Sequence, residues 1–235
     1  IRQGKRNMYK KEELRELEEK IGYEFKDKAL IMQALTHSSF SNEQKINKFK
    51  NYERLEFLGD AVLELLSSRF LFETYSEMSE GQMTRMRSSM VCEPALAFCA
   101  RDLSLGDYIL LGKGEEATGG RKRDSIISDV MEAVLGAIYL DGGIQEAEKF
   151  VNKFILSDLE DKQLFYDSKT ILQEKVQKAG KSLVYELVSE TGPDHDKIFV
   201  VEARIDGQTA GKGQGRNKKS AEQQAAYEVL LGQKL

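Results

Sequence analysis

The chain has 235 residues, 40% of them hydrophobic, with 35 Lys and Arg against 39 Asp and Glu, a formal net charge of −4. That length suits one large domain or two small ones. No apolar run approaches the ~20 residues needed to cross a bilayer and no signal-peptide pattern opens the chain, so a cytoplasmic protein without a membrane partner is expected. The acidic balance argues against a nucleic-acid partner only until the chain is divided. Residues 166–235 carry 11 basic against 10 acidic side chains, so the acidic excess belongs to residues 1–165.

Up to about residue 155 the apolar spacing is helical. Helices are predicted over 12–20, 25–35, 52–75, 84–104, 123–140 and 144–156, with a Gly-rich polar loop at 112–120. Cys92 and Cys99 lie in one apolar helical stretch of a chain with only two histidines, which argues against a zinc site and reads as two reduced, buried thiols. The charged stretch 157–166 reads as a linker. Beyond it a helix is predicted over 169–179 and alternating strands over 183–190, 198–204 and 208–213, and then a helix capped by Asn217 that runs to 231.

One of these helices has its charges in an unusual place. At roughly 100° per residue, Glu53, Glu56, Asp60 and Glu64 fall within an arc of about 80°. Nearly everything around them is apolar, so the rest of the helix is expected to be buried. Like charges side by side in a half-buried seam raise the free energy unless cations neutralise them. A second pair, Asp129 and Glu132, shares one face at i, i+3 in a helix that is again apolar. Two such helices packed together would form an oxygen-only site, the chemistry of hard divalent cations. The alternative is a pair of solvated acidic strips.

The same residues carry a resemblance. Asn51-Tyr-Glu-Arg-Leu-Glu-Phe-Leu-Gly-Asp-Ala-Val-Leu resembles the signature of the bacterial ribonuclease III family. Four further blocks follow the family order: Leu35-Thr-His-Ser-Ser39, Glu80-Gly with Thr84-Arg-Met-Arg87, Leu111 to Arg123, and Asp129-x-x-Glu132. Together they span residues of about 10 to 155. Tyr52 stands where Asn or Glu is common and Ser88 where Ala is common. The resemblance implies an all-α N-terminal endonuclease and dimerisation domain over 1–156. In it Glu56, Asp129 and Glu132 would bind the principal Mg²⁺ (Mn²⁺ as substitute), and Asp60 would act in catalysis together with Glu132, binding a second metal or orienting a water. Glu53 and Glu80 match further acids with weaker roles. Glu64 matches no functional position. His37 reads as a hydrogen-bonded structural histidine rather than a general base, and Asp141 as a helix-end residue. Lys113, Arg121, Lys122 and Arg123 either solvate their loop or lie near RNA.

After the 157–166 linker, the α-β-β-β-α order over residues 167–235 is that of a double-stranded RNA-binding domain, an α+β fold. Gly192-Pro-Asp-His195 and Gly211-Lys-Gly-Gln-Gly-Arg-Asn-Lys-Lys-Ser-Ala-Glu-Gln-Gln-Ala-Ala226 carry that resemblance. By it, Thr170, Gln173 and Glu174 would touch 2′-hydroxyls and bases in the minor groove, and His195 the next minor groove. Lys218 and Lys219 open a helix, where their charge and the free amides both favour phosphate; with Lys212 and Arg216 they are read as one basic cluster. The expected whole is a homodimeric, Mg²⁺-dependent endoribonuclease acting on double-stranded RNA. It would leave 5′-phosphate and 3′-hydroxyl ends in ribosomal RNA processing and message turnover. The rivals are a binding-only relative and an RNA-binding module fused to a helical assembly domain.

Overall fold

A computed structural model describes residues 11–45, 50–157, 168–192, 197–215 and 217–232, in two units that divide after Ser157. The first is helical. Its elements are α1 (Lys11–Ile21), α2 (Lys28–Ala34), α3 (Ser38–Glu43), α4 (Glu53–Thr74), α5 (Glu80–Met90), α6 (Glu93–Asp102), α7 (Leu105–Tyr108) and α8 (Lys113–Ala117), a 3-10 turn at Gly120–Lys122, α9 (Asp124–Gly142) and α10 (Ile144–Phe154). Its strand-like pairing among the described residues is a single parallel bridge between Thr36 and Leu110.

Three sequence expectations change here. Helix α2 starts at Lys28 rather than 25 because the Asp27 carboxylate accepts the Ala29 amide at 2.9 Å and caps it. The helix expected over 84–104 is two helices. Val91 and Cys92 interrupt it, and Pro94, which lacks an amide proton, stands in the first turn of α6 where none is needed. Cys92 therefore sits half-buried at the junction, and only Cys99 is a buried helical thiol. The loop expected over 112–120 contains α8.

Helix α9 is the central element. Ile126, Val130, Met131, Val134, Leu135 and Ile138 are all buried, which is why its apolar residues run nearly all round. It packs on α4 through Leu55, Val62, Leu63 and Leu66, also buried. The two backbones meet at glycines. A Cβ on Gly59 would lie 1.8 Å from the Glu132 carbonyl oxygen, and one on Gly136 would lie 2.2 Å from that of Leu55. No residue with a side chain fits either position without moving a helix.

Helix α1 is clasped to this core at two points. Glu18, buried, accepts the Phe25 amide at 2.8 Å and the Lys28 ammonium at 2.6 Å. Asp141 accepts the Tyr23 hydroxyl at 2.7 Å and the amides of Lys26 and Asp27 at 2.8 and 2.9 Å. The expected helix-end residue thus also ties the α1–α2 turn to α9.

The second unit is α11 (Ser168–Lys178), β1 (Leu183–Thr191), β2 (Ile198–Ile205), β3 (Gln208–Gly215) and α12 (Lys218–Gly232), with an antiparallel sheet in the order β1-β2-β3. This is the expected α-β-β-β-α fold. Leu172 and Val176 of α11 and Ala225, Ala226, Val229 and Leu230 of α12 close over Ala203 of β2. Asn217 caps α12 as expected: its side chain accepts the Ser220 amide at 2.8 Å. Helix α12 lies directly on β3, and a Cβ on Gly213 would fall 2.2 Å from the Ala225 nitrogen. The stretch read as a linker, apart from Ser157, lies outside the described residues, as do His195 and Arg216.

Candidate active site and nucleic-acid interface

The glycine crossing of α4 and α9 decides where the acids go. With Gly59 against Glu132 and Gly136 against Leu55, Glu56 and Asp60 of α4 face Asp129 and Glu132 of α9. The four acids feel one another. Burial, then Asp60, Glu56 and Asp129, push the Glu132 carboxyl up to about 8. Burial, then Asp129, Glu53 and Asp60, push Glu56 up to about 7. Asp60, more exposed, is raised by burial and by Glu64. Asp129 is raised by burial, against the pull of a hydrogen bond from Tyr52. None of the four is ion-paired to a described Lys or Arg. Such a cluster of uncompensated carboxylates favours whatever brings positive charge.

The donor set is oxygen only, which fits a hard cation such as Mg²⁺. Among the described residues, no group of three or more His, Cys, Asp or Glu side chains is close enough to hold a metal ion unaided. Mg²⁺ needs no such cage, since it commonly takes one or two carboxylates and completes its octahedron with water and substrate phosphate.

The remaining acids divide. Glu53 is exposed at the start of α4 and acts on Glu56, Tyr52 and His37. Glu64 is exposed, with an Arg87 nitrogen at 4.0 Å, in keeping with a solvent-facing residue. Glu80 opens α5, where Thr84 donates to it at 2.9 Å, and it does not figure among the charges acting on the four acids. The expectation that the rest of α4 is buried does not hold for a single chain: Phe57 is 80% and Leu65 60% exposed, and Ala61 between them is exposed as well.

His37 caps α3. Its Nδ1 accepts the Ser39 amide at 3.1 Å, and burial lowers its pKa against the opposing charges of Glu115, Glu53 and Asp129. The structural reading of this histidine fits. The basic loop is internally paired: Arg121 bonds Glu116 at 2.7 Å and the Gly106 carbonyl at 3.0 Å, and Arg123 is paired with Glu115. Lys122 is exposed. Tyr52, in the sequence only a departure from the signature, donates its hydroxyl to Asp129 at 3.2 Å. The available signal was an aromatic residue directly before the first acid of the signature.

In the second unit Thr170, Gln173 and Glu174 share the exposed face of α11, opposite buried Leu172 and Val176. Lys218 and Lys219 are exposed at the first turn of α12. Lys212 does not join them. Gly211, Gly213 and Gly215 face α12, so by strand alternation Lys212 points to the other side of the sheet. It stands opposite Glu202 in the β2–β3 register, 3.9 Å from its carboxylate.

A model described as ribonuclease-III-like matches residues 27–159, and a double-stranded RNA binding motif matches residues 168–232. The chain belongs to the ribonuclease III family. The ribonuclease 3 of Bacillus velezensis is 47% identical over 230 residues, covering 96% of this chain and 92% of its own. That of Caldanaerobacter subterraneus is 49% identical over 219 residues, covering 91% and 95%. Among solved structures, the ribonuclease III nuclease domain of Campylobacter jejuni is 43% identical with a TM-score of 0.57, covering 60% of this chain and 95% of that one. That structure is described for flexibility in a region involved in its dimer formation. No helix among the described residues of this family member is long and apolar enough to cross a membrane.

Proposed function

We propose that the chain is a homodimeric, Mg²⁺-dependent endoribonuclease that hydrolyses double-stranded RNA. Membership of the ribonuclease III family makes it an endoribonuclease. The observation that carries the finer reading is the glycine crossing of α4 and α9, which gathers four carboxylates with no cationic partner among the described residues. In this reading Glu56, Asp129 and Glu132 hold the principal Mg²⁺, and Asp60 holds a second or orients the attacking water. When bound, Mg²⁺ supplies charge relief at the phosphate and an acidified water.

The chain's own part is to keep these carboxylates on two helices that cannot slide, because a slip at Gly59 or Gly136 meets backbone. Attack of water on phosphorus with departure of the 3′ oxygen leaves a 5′-phosphate and a 3′-hydroxyl. The exposed faces of α11 and the start of α12 would hold the duplex through 2′-hydroxyls and phosphates, the features an A-form minor groove presents. The exposed stripe of Phe57, Ala61 and Leu65 supports a dimer, since such a surface is normally covered. A two-fold axis would place two active sites on one duplex. The cellular roles that fit are ribosomal RNA precursor processing and message turnover.

The test is cleavage of an end-labelled duplex with Mg²⁺, with Mn²⁺, with Ca²⁺ and with chelator. Mg²⁺ and Mn²⁺ should support cutting to phosphatase-sensitive 5′ ends, and Ca²⁺, larger and looser in its coordination, binding without turnover. Equal cutting in chelator would overturn the metal reading.

A further inference from the structure

Tyr52 precedes α4 and is only 5% exposed. Its surroundings fix it from several sides. Its amide donates to the Thr36 carbonyl at 2.9 Å, and Gln33 Nε2 donates to the neighbouring Asn51 carbonyl at 3.1 Å. The His37 ring lies against its own, with centroids 5.5 Å apart. Thr36 and His37 are in turn pinned to the chain before α8: the Leu110 amide donates to Leu35 at 2.8 Å, and the His37 amide to Leu110 at 3.1 Å. From this anchored position the Tyr52 hydroxyl donates to Asp129 Oδ2 at 3.2 Å. The carboxylates of Glu56, Asp60 and Glu132 accept no hydrogen bond from a described residue. Asp129 is thus singled out among the four acids.

We propose that Tyr52 is a positioning residue: its phenol fixes the orientation of the Asp129 carboxylate and leaves Oδ1 for a divalent cation. This rests on the reading that Asp129 helps to hold the metal. A neutral donor suits the task. A Lys or Arg in its place would orient the carboxylate equally well, but its charge would compete with the cation for it. The phenol restricts rotation of Asp129 without cancelling the charge that attracts the metal. Outer partners of this kind are worth ~10–100-fold in metal affinity.

The experiment is calorimetric titration of the full chain with Mg²⁺ and with Mn²⁺ in the absence of RNA, for the parent, Tyr52→Phe, Asp129→Asn and the double variant. Phenylalanine keeps the buried ring and its contact with His37. Tyr52→Phe is expected to weaken metal binding about 10-fold, and to add little in the Asp129→Asn background, where the group it positions no longer carries charge. In duplex cleavage the Tyr52→Phe deficit should deepen as Mg²⁺ is lowered, whereas a purely structural defect would be equal at all concentrations. Unchanged metal affinity in Tyr52→Phe beside weakened affinity in Asp129→Asn overturns the positioning role alone. Unchanged affinity in both overturns the metal reading beneath it as well.

Discussion

In the first unit Gly59 and Gly136 let two helices meet backbone to backbone; in the second Gly211, Gly213 and Gly215 let a helix lie flat on a strand. The device is shared, and the neighbours determine what it does. Beside Gly59 and Gly136 stand Glu56, Asp60 and Glu132, so close approach concentrates negative charge in a half-buried place and raises the acids' proton affinity. Over β3 stand Ser220, Ala221, Ala225 and Val229, so close approach there gathers no charge. Asn217 caps the start of α12, and Lys218 and Lys219 are left in solvent at that point. One unit holds its charges half-buried and close together; the other displays its charges in solvent at no such cost.

The sharpest way to break this contrast is Glu132→Gln. It should lower cleavage by more than about 100-fold, beyond the loss expected from a mere outer partner of the metal. Duplex affinity measured in Ca²⁺ should stay near the parent's, since phosphate contacts elsewhere dominate it. Binding lost in step with cleavage would merge the two roles.

Next come the glycines themselves. Gly59→Ala and Gly213→Ala each place a methyl where only backbone fits, and each should cost at least about 1–3 kcal/mol. Thermal unfolding should show this as roughly 2–4 °C per kcal/mol for the first unit and roughly 4–8 °C for the smaller second one. Gly59→Ala should also weaken Mg²⁺ binding by moving Glu132, whereas Gly213→Ala should leave Mg²⁺ titration unchanged and weaken duplex binding. A metal defect in Gly213→Ala would show that the two glycine contacts are not separate devices.

Lys218→Glu with Lys219→Glu should weaken duplex binding and flatten its salt dependence by roughly one unit of slope per lost phosphate contact. Low salt should restore cleavage, because the four acids are untouched. Parent-like binding and cutting at physiological salt would reduce the start of α12 to a solvated surface.

The smallest effect expected is on stability. Glu132 at about 8 and Glu56 at about 7 lie above their ordinary 4.5. A carboxyl raised in the folded state favours folding below its unfolded value and loses that contribution as pH climbs through the folded one. Metal-free protein should therefore melt a few degrees lower at pH 8 than at pH 5. Mg²⁺ should recover more of that loss at pH 8, where the ionised acids bind it and binding stabilises the folded state. Asp141, held low by its donors despite burial, acts only at more acid pH. A melting temperature that rises from pH 5 to 8 without metal would contradict the strained-acid picture.

Much of this was legible in the sequence because it is periodic. The long helices α4 and α9, the three strands and the Asn217 cap follow from apolar spacing and turn residues, and Asp129 with Glu132 from an i, i+3 interval. Short-range chemistry was harder. The break at Val91–Cys92 turns on Pro94, which apolar periodicity ignores, and α8 has no buried residue to give it a pattern. The exposure of Phe57 and Leu65 cannot be read from their type, since an apolar side chain looks the same whether its partner is within the chain or in another copy. Tyr52 was read as a departure from a motif because its partner, Asp129, lies 77 positions away. Lys212 was grouped with its sequence neighbours although strand alternation turns it to the other face.

The Asp141 clasp has a consequence for the order in which the protein is made. Tyr23, Lys26 and Asp27 meet a residue 114 to 118 positions downstream, and the entropy of closing so long a loop is lost before any contact repays it. On a ribosome adding ~5–20 residues per second, the α1–α2 turn has to wait roughly 6–24 s for the end of α9 to be synthesised. During that interval the Tyr23 hydroxyl and the Lys26 and Asp27 amides have only water as partners. The turn between α1 and α2 is therefore closed late, by the last turn of α9.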